Sequence, residues 1–185
     1  MSHFPSARDF SSPLPRSANP RQAPANGPLT NIAYDIKYDI VIVADTNVVL
    51  RGCRSRNGAS FVVLRGMLSG QIPFAASPTV ILEYEEVLKR PGLLGAPPAL
   101  TLPQVETLLD ALCARAFPSS PWIRFRPFLD DPKDDHVIEC ALAAGARTIV
   151  TDDRGFGHPT VAAFGLRAIR PGDFVSELKQ ERKPK

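Results

Sequence analysis

Beyond about residue 38 the chain alternates short apolar runs with longer stretches of helical periodicity. Ile40-Val41-Ile42-Val43-Ala44 is unbroken and mostly β-branched, the pattern of a strand covered on both faces of a parallel sheet. Asn57 is placed to cap a helix through Phe61, Leu64 and Leu68 that stops near Gly70. Ile72 to Ala76 is a second short apolar strand, weakened by Pro73. Ser77-Pro78 is a helix start, a capping serine followed by proline at the first helical position. It leads into a stripe of Val80, Ile81, Tyr84, Val87 and Leu88, which Arg90-Pro91-Gly92 ends. Thr101 with Gln104 resembles a capping box, and Val105, Leu108, Leu109 and Leu112 then recur at helical spacing. A further helix is predicted from Asp134 to Ala144, closed by Gly145. Strands follow at Arg147 to Thr151 and Leu166 to Arg170, and a short helix over Gly172 to Leu178 precedes a basic tail, Lys179 to Lys185. Strands alternating with helices over short connections predict an α/β fold, a sandwich around a central, mostly parallel sheet.

The first 38 residues have a different texture. Six prolines fall within the first 28 positions among Ser, Asn, Gln and Arg, with few large apolar side chains. Such a stretch buries too little surface to offset its ordering entropy, so a disordered extension is expected over residues 1–38 and a domain over 39–178. The chain has 185 residues, of which 44% are hydrophobic and 22% charged, ordinary usage for a soluble domain. No apolar run approaches the roughly 20 residues that span a bilayer, and Met1 to Phe10 lack the pattern of a secretory signal. Cys53, Cys113 and Cys140 are far apart and unpaired in sequence, which argues against a disulfide framework or a zinc site and fits a reducing compartment. A cytoplasmic protein with no membrane association is expected. The net charge of +3 permits nucleic-acid binding without demonstrating it.

In open parallel sheets the working site lies beyond the carboxyl ends of the strands, and acids stand there. Asp45 ends the first buried strand, and Asp153 follows Ile149-Val150-Thr151-Asp152. Asp134 and Asp135 open a helix, and Glu83 lies in the helix after Ser77-Pro78. Each acid alone has a plain explanation, since Asp after a strand is commonly a turn or cap residue and Asp at a helix start is favoured by the macrodipole. Periodicity does not choose Glu83 over Glu85, because they flank the apolar stripe on its two sides; Glu86 points furthest from it. Together the acids say more. Carboxylates about 4 Å apart repel by roughly 4 kcal/mol at an effective dielectric near 20, so their convergence calls for compensation. All-oxygen ligand sets suit Mg²⁺ or Mn²⁺ rather than zinc, and such ions promote phosphodiester hydrolysis. Only His3, His136 and His158 occur, and no Ser or Cys nucleophile with a His partner offers a rival chemistry.

From about Tyr38 to Leu178, some 140 of the 185 residues, the chain resembles the PIN domain, in particular the branch of bacterial proteins regarded as toxin–antitoxin ribonucleases. The resemblance is carried by Ile42-Val43-Ala44-Asp45-Thr46-Asn47-Val48, by Ser77-Pro78 through Glu83-Tyr84-Glu85-Glu86-Val87-Leu88, by Asp131-Pro132-Lys133-Asp134-Asp135 and by Val150-Thr151-Asp152-Asp153-Arg154. The ending, Gly165-Leu166 to Pro171-Gly172-Asp173-Phe174, is also similar. It implies metal-binding acids at Asp45, Glu83 and Asp153. Counting back from Gly145 makes the third acid Asp134, which is taken first; counting back from Thr151 makes it Asp135. Thr46, Asn47 and Thr151 would orient carboxylates or water, and Asp152 is a neighbour rather than a ligand. The resemblance further implies Mg²⁺- or Mn²⁺-dependent cleavage of RNA, a cognate antitoxin as partner, and homodimerisation.

Arg51, Arg54 and Arg56 crowd what reads as a loop after Asp45, where they would contact RNA phosphates. His136 reads as a helix-surface residue, His158 as a loop residue, and Trp122 and Phe125 as core or interface rather than base-stacking platforms. Cys53 has no activating neighbour in sequence. A haloacid-dehalogenase-type phosphotransferase would need a second Asp at Asn47, and a receiver domain a strand-end Lys that is not found. A catalytically silent PIN-like module binding RNA or protein is the alternative from another class.

Overall fold

Three strands form the centre of the molecule: β1 (Ile42–Ala44), β4 (Thr148–Val150) and β5 (Arg167–Ile169), in the order β1-β4-β5 and all parallel. Their register pairs Ala44 with Val150 and Val150 with Ile169. A second parallel pair, β2 (Ala75–Ala76) and β3 (Phe117–Pro118), joins the free side of β1 through a parallel bridge between Ile42 and Phe74. The proline expected to weaken this segment is used as an acceptor, since Ile42 N–H donates to the Pro73 carbonyl at 3.1 Å. This computed structural model describes residues 41–121 and 134–181. The proline-rich extension with Ile40, the pair Trp122 and Phe125, Asp131 to Lys133, and Arg182 to Lys185 lie outside them.

Both inner strands are buried throughout, as their β-branched composition predicts for strands with no solvent face. The helices are α1 (Thr46–Arg54), α2 (Ala59–Ser69), α3 (Pro78–Lys89), α4 (Leu102–Arg115), α5 (Asp135–Ala144), α6 (Pro159–Ala163) and α7 (Pro171–Glu181). α5 packs on β1, β2 and β4 and against α3, while α1 packs on α2 and α3. The expected α/β fold, a parallel sheet flanked by helices, is the one observed. Among the described residues no helix is long and apolar enough to cross a membrane.

Several local signals act as read. Ser77 Oγ accepts the Val80 amide at 3.3 Å with Pro78 at the helix start. Gln104 accepts the Thr101 amide at 2.9 Å. Gly70 and Gly145 close α2 and α5 in the left-handed region, at φ +74° and +66°, where glycine carries no Cβ penalty.

Three expectations are corrected. Asn57 does not cap α2; Gly58 holds that position, without a side-chain bond. The final helix continues through Lys179 to Glu181, so the basic tail begins later than its charge suggested. Most important for the site, the segment after Asp45 is a helix and not a loop, so Arg51 and Arg54 stand on α1. Its sequence hid this, because Thr46, Asn47, Val48, Val49 and Gly52 are all poor helix formers. Tertiary packing overrides the propensity. Val48, Val49 and Gly52 are buried, and a Cβ on Gly52 would come within 2.9 Å of the Ser60 carbonyl oxygen and 3.0 Å of Leu64. The glycine sets how closely α1 approaches α2.

Candidate active site

Parallel register brings the site together. Because Ala44 pairs with Val150, the next residues along, Asp45 and Thr151, leave neighbouring strands at the same edge of the sheet. The Asp45 amide still belongs to the ladder, donating to Val150 O at 2.9 Å, while its carbonyl accepts the Val48 amide in the first turn of α1. Asp45 is thus held by both the strand it ends and the helix it starts. Its side chain is 7% exposed. Thr151 Oγ1 donates to Asp45 Oδ2 at 2.5 Å, and Asn47 Nδ2 donates to the same oxygen. Asn47 also donates to Thr151 Oγ1 at 3.2 Å and accepts the Asp152 amide at 3.3 Å. One side chain therefore stitches the ends of β1 and β4.

The second acid arrives from α3. Tyr84 is fully buried, and its hydroxyl donates to the Ala44 carbonyl, which fastens α3 to the end of β1. Glu83, its neighbour, is thereby carried to Asp45. Thr46 Oγ1 donates to Glu83 Oε2 at 2.5 Å, and His136 Nε2 lies 2.8 Å from the same oxygen. Glu85 instead pairs with Lys89 at 2.7 Å, and Glu86 with Arg90 at 2.5 Å. Of the two acids that periodicity left open, Glu83 is the one whose contacts lie beside Asp45.

The two carboxylates respond in opposite ways. Burial pushes the Asp45 carboxyl up and the Glu83 charge adds to this, outweighing the Thr151 bond and the Asn47 and Thr46 amides. Burial also opposes the charge on Glu83, but the bonds from His136 and Thr46, with the His136 charge, bring its carboxyl below the ordinary value. The surroundings of Asp45 disfavour its charge, whereas those of Glu83 support it.

His136 is a functional candidate that sequence reading missed. Expected on a helix surface, it is 9% exposed and faces Glu83. A signal existed, because Val137, Ile138, Cys140 and Ala141 take up most of the circumference of α5, and a helix with so wide an apolar face is largely buried. Asp135, in the first turn of α5, is fully buried, whereas Asp134 is half-buried at the cap. Of the two candidates for the third acid, Asp135 therefore lies inside the domain.

Asp153 is exposed, and its carboxylate caps the turn after β4 by accepting the Gly155 amide at 2.7 Å. Its own amide donates to Thr151 Oγ1 at 2.9 Å, so it joins the network through its backbone. Asp152 pairs with Arg51 at 2.7 Å across the rim. Arg54 and Arg56 are exposed nearby in sequence. The Cys53 thiol is pushed up to about 12 by burial, which matches its lack of an activating neighbour.

Among the described residues no three or more His, Cys, Asp or Glu side chains stand close enough to form a finished metal cage. The chemistry of the donors nevertheless fits a divalent cation. Among the described residues both side-chain hydrogen bonds to Glu83 converge on Oε2, and both side-chain donors to Asp45 reach Oδ2. One oxygen of each acid is left clear of them, and carboxylate oxygens are what Mg²⁺ and Mn²⁺ prefer.

A parallel α/β domain with acids gathered at its central strand ends already defines a class of site. The sequence profile of the PIN domain matches residues 41–155, more than half of the chain, and the chain belongs to that family. No curated protein shows significant sequence similarity to it. Among solved structures, FitAcB from Neisseria gonorrhoeae is 14% identical with a TM-score of 0.44, covering 71% of this chain and 99% of its own. VapBC2 from Rickettsia felis, bound to a DNA fragment from its promoter, is 15% identical with a TM-score of 0.44, covering 71% and 98%.

Proposed function

We propose that the chain is a divalent-metal-dependent endoribonuclease of the PIN family and acts as the toxin of a toxin–antitoxin pair. The observation that carries the first part is the approach of Asp45 and Glu83, from a strand end and a separate helix, each oriented by its own hydrogen bonds and near enough for the Glu83 charge to raise the Asp45 carboxyl. Asp45, Glu83 and Asp135, with Asp134 as its alternative, would hold Mg²⁺ or Mn²⁺, and Asp153 would stand by the water or a second ion. When bound, such an ion supplies an activated water and charge stabilisation for in-line phosphodiester displacement. The protein's own part is orientation. Thr151 and Asn47 fix the Asp45 carboxylate, and Thr46 and His136 fix that of Glu83. Arg51, Arg54 and Arg56 would place the RNA backbone. The toxin role rests on family resemblance; it brings an antitoxin that covers the acidic cleft, and pairing of two copies.

The test is RNA cleavage with Mg²⁺ or Mn²⁺, with and without chelator, by the parent and by Asp45→Asn. Expected are chelator-sensitive cleavage by the parent, and a loss of at least about 100-fold in a variant that still folds. Equal cleavage by the two proteins sinks the assignment. Growth arrest on expression, relieved by the neighbouring gene product, tests the toxin role. A silent binding module would bind RNA without cleaving it under any of these conditions.

A further inference from the structure

One acid of α5 stands apart from the hydrogen bonds that orient Asp45 and Glu83. Glu139 comes four residues after Asp135 and three after His136, so at 3.6 residues per turn the three project from one side of the helix. His136 reaches Glu83 from that side. Glu139 is 7% exposed, flanked by Ile138 and Cys140 with no exposure at all. Its Oε1 is closed to water and accepts no hydrogen bond, and no ion pair reaches the carboxylate among the described residues. Buried charges are normally paired or bound to metal, and a group with neither calls for an explanation. α5 packs directly on β1 and α3, the elements that carry Asp45 and Glu83. Among the described residues no side chain therefore compensates Glu139, on the same helix side from which His136 reaches Glu83.

We propose that Glu139 is an additional carboxylate arm of the cation site, reaching a divalent, oxygen-preferring ion from one turn further along α5 than Asp135. The proposal rests on the metal-dependent reading of the site. It extends the acid set by a residue that no strand end or helix start points to. A longer glutamate stem suits this position, since the carboxylate must reach back by a helical turn. A cation gives Glu139 the partner that the described residues do not supply.

The experiment measures Mn²⁺ binding to the full chain by calorimetry, and the Mn²⁺-induced rise in Tm, for the parent, Glu139→Gln and Glu86→Gln. Glu86 is exposed and paired with Arg90, so it serves as the control. Glu139→Gln is expected to bind Mn²⁺ about tenfold or more weaker and to show a smaller rise in Tm, with Glu86→Gln like the parent. Equal affinity in the parent and Glu139→Gln overturns the proposal while leaving metal dependence intact. No Mn²⁺ binding by the parent overturns both. Should Glu139→Gln fail to fold, Mg²⁺ titration of parent protein carrying ¹³C-labelled glutamate carboxyls decides. Movement of two signals, from Glu83 and Glu139, is expected, and movement of Glu83 alone rejects the role.

Discussion

Asp45 and Glu83 lie near each other yet carry opposite electrostatic burdens, and the sign of each sets a pH dependence. Asp45 has a raised carboxyl, first because it is buried and then because Glu83 is near. Its protonated form suits the metal-free fold, so its contribution to stability is present at low pH and lost as pH rises through the raised titration. Glu83 has a lowered carboxyl despite burial, because His136 and Thr46 support the charge. Its contribution is present above the ordinary value of 4.5 and lost as pH falls through the lowered titration. With chelator at pH 7, Asp45→Asn should therefore raise Tm and Glu83→Gln should lower it. Each change should be roughly 3 °C, the equivalent of about 1 kcal/mol. The Asp45→Asn gain should shrink as the pH approaches 3.8, the ordinary value for Asp. Thermal melts from pH 4 to 8 check both signs, and a loss of Tm in Asp45→Asn at pH 7 contradicts the first.

α1 exists because of what it packs against. Its sequence has low helix propensity, and only burial of Val48, Val49 and Gly52 under α2 holds the helix that carries Thr46, Asn47 and Arg51 into place. Gly52 has no room for a methyl group, since both the Ser60 carbonyl oxygen and Leu64 lie within about 3.0 Å of where it would stand. Overpacking of this kind costs about 1–3 kcal/mol, although alanine would otherwise favour the helix by nearly 1 kcal/mol. Gly52→Ala should thus be destabilising on balance, and it should also weaken Mn²⁺ binding by shifting Thr46 and Asn47. Urea denaturation and metal titration on one preparation measure both effects; a more stable variant would show that α1 and α2 can part without strain. α3 illustrates the complementary case. Its cap, proline start and apolar stripe all agree, so the helix was legible, while the placement of Glu83 beside Asp45 required knowing that Tyr84 docks on Ala44.

For the molecule as a whole, a net charge of +3 makes long-range attraction to RNA weak, so local arginines matter more. Arg51 is 61% exposed and tied to Asp152 at the rim of the site, on the helix that starts at Asp45. Replacing Arg51, Arg54 and Arg56 together by alanine should weaken binding of single-stranded RNA. The slope of log affinity against log salt should flatten by about 0.7 for each phosphate no longer neutralised. Filter binding across salt concentrations reads this directly, and an unchanged slope would place the RNA elsewhere. Release of Arg51 from Asp152 also frees a carboxylate at the rim, so the affinity loss should exceed that of Arg54 and Arg56 replaced without it.

Much of the architecture was legible because local rules and burial agree along β1, β4, α3, α4 and α5. Unbroken β-branched runs have no solvent face to hide, capping serine and threonine mark starts, and left-handed glycines mark stops. Strand-end placement likewise picked out Asp45. What the chain by itself did not give were chiefly matters of convergence: α1, which read as a loop, His136, which read as a surface residue, the placing of Glu83 rather than Glu85 beside Asp45, and Glu139 without a partner among the described residues. Propensity and periodicity act over a few neighbouring residues. Asp45 and Thr151 are separated by 106 positions, and Glu83 and His136 by 53, and only the parallel register and the docking of α3 and α5 on one sheet set them side by side.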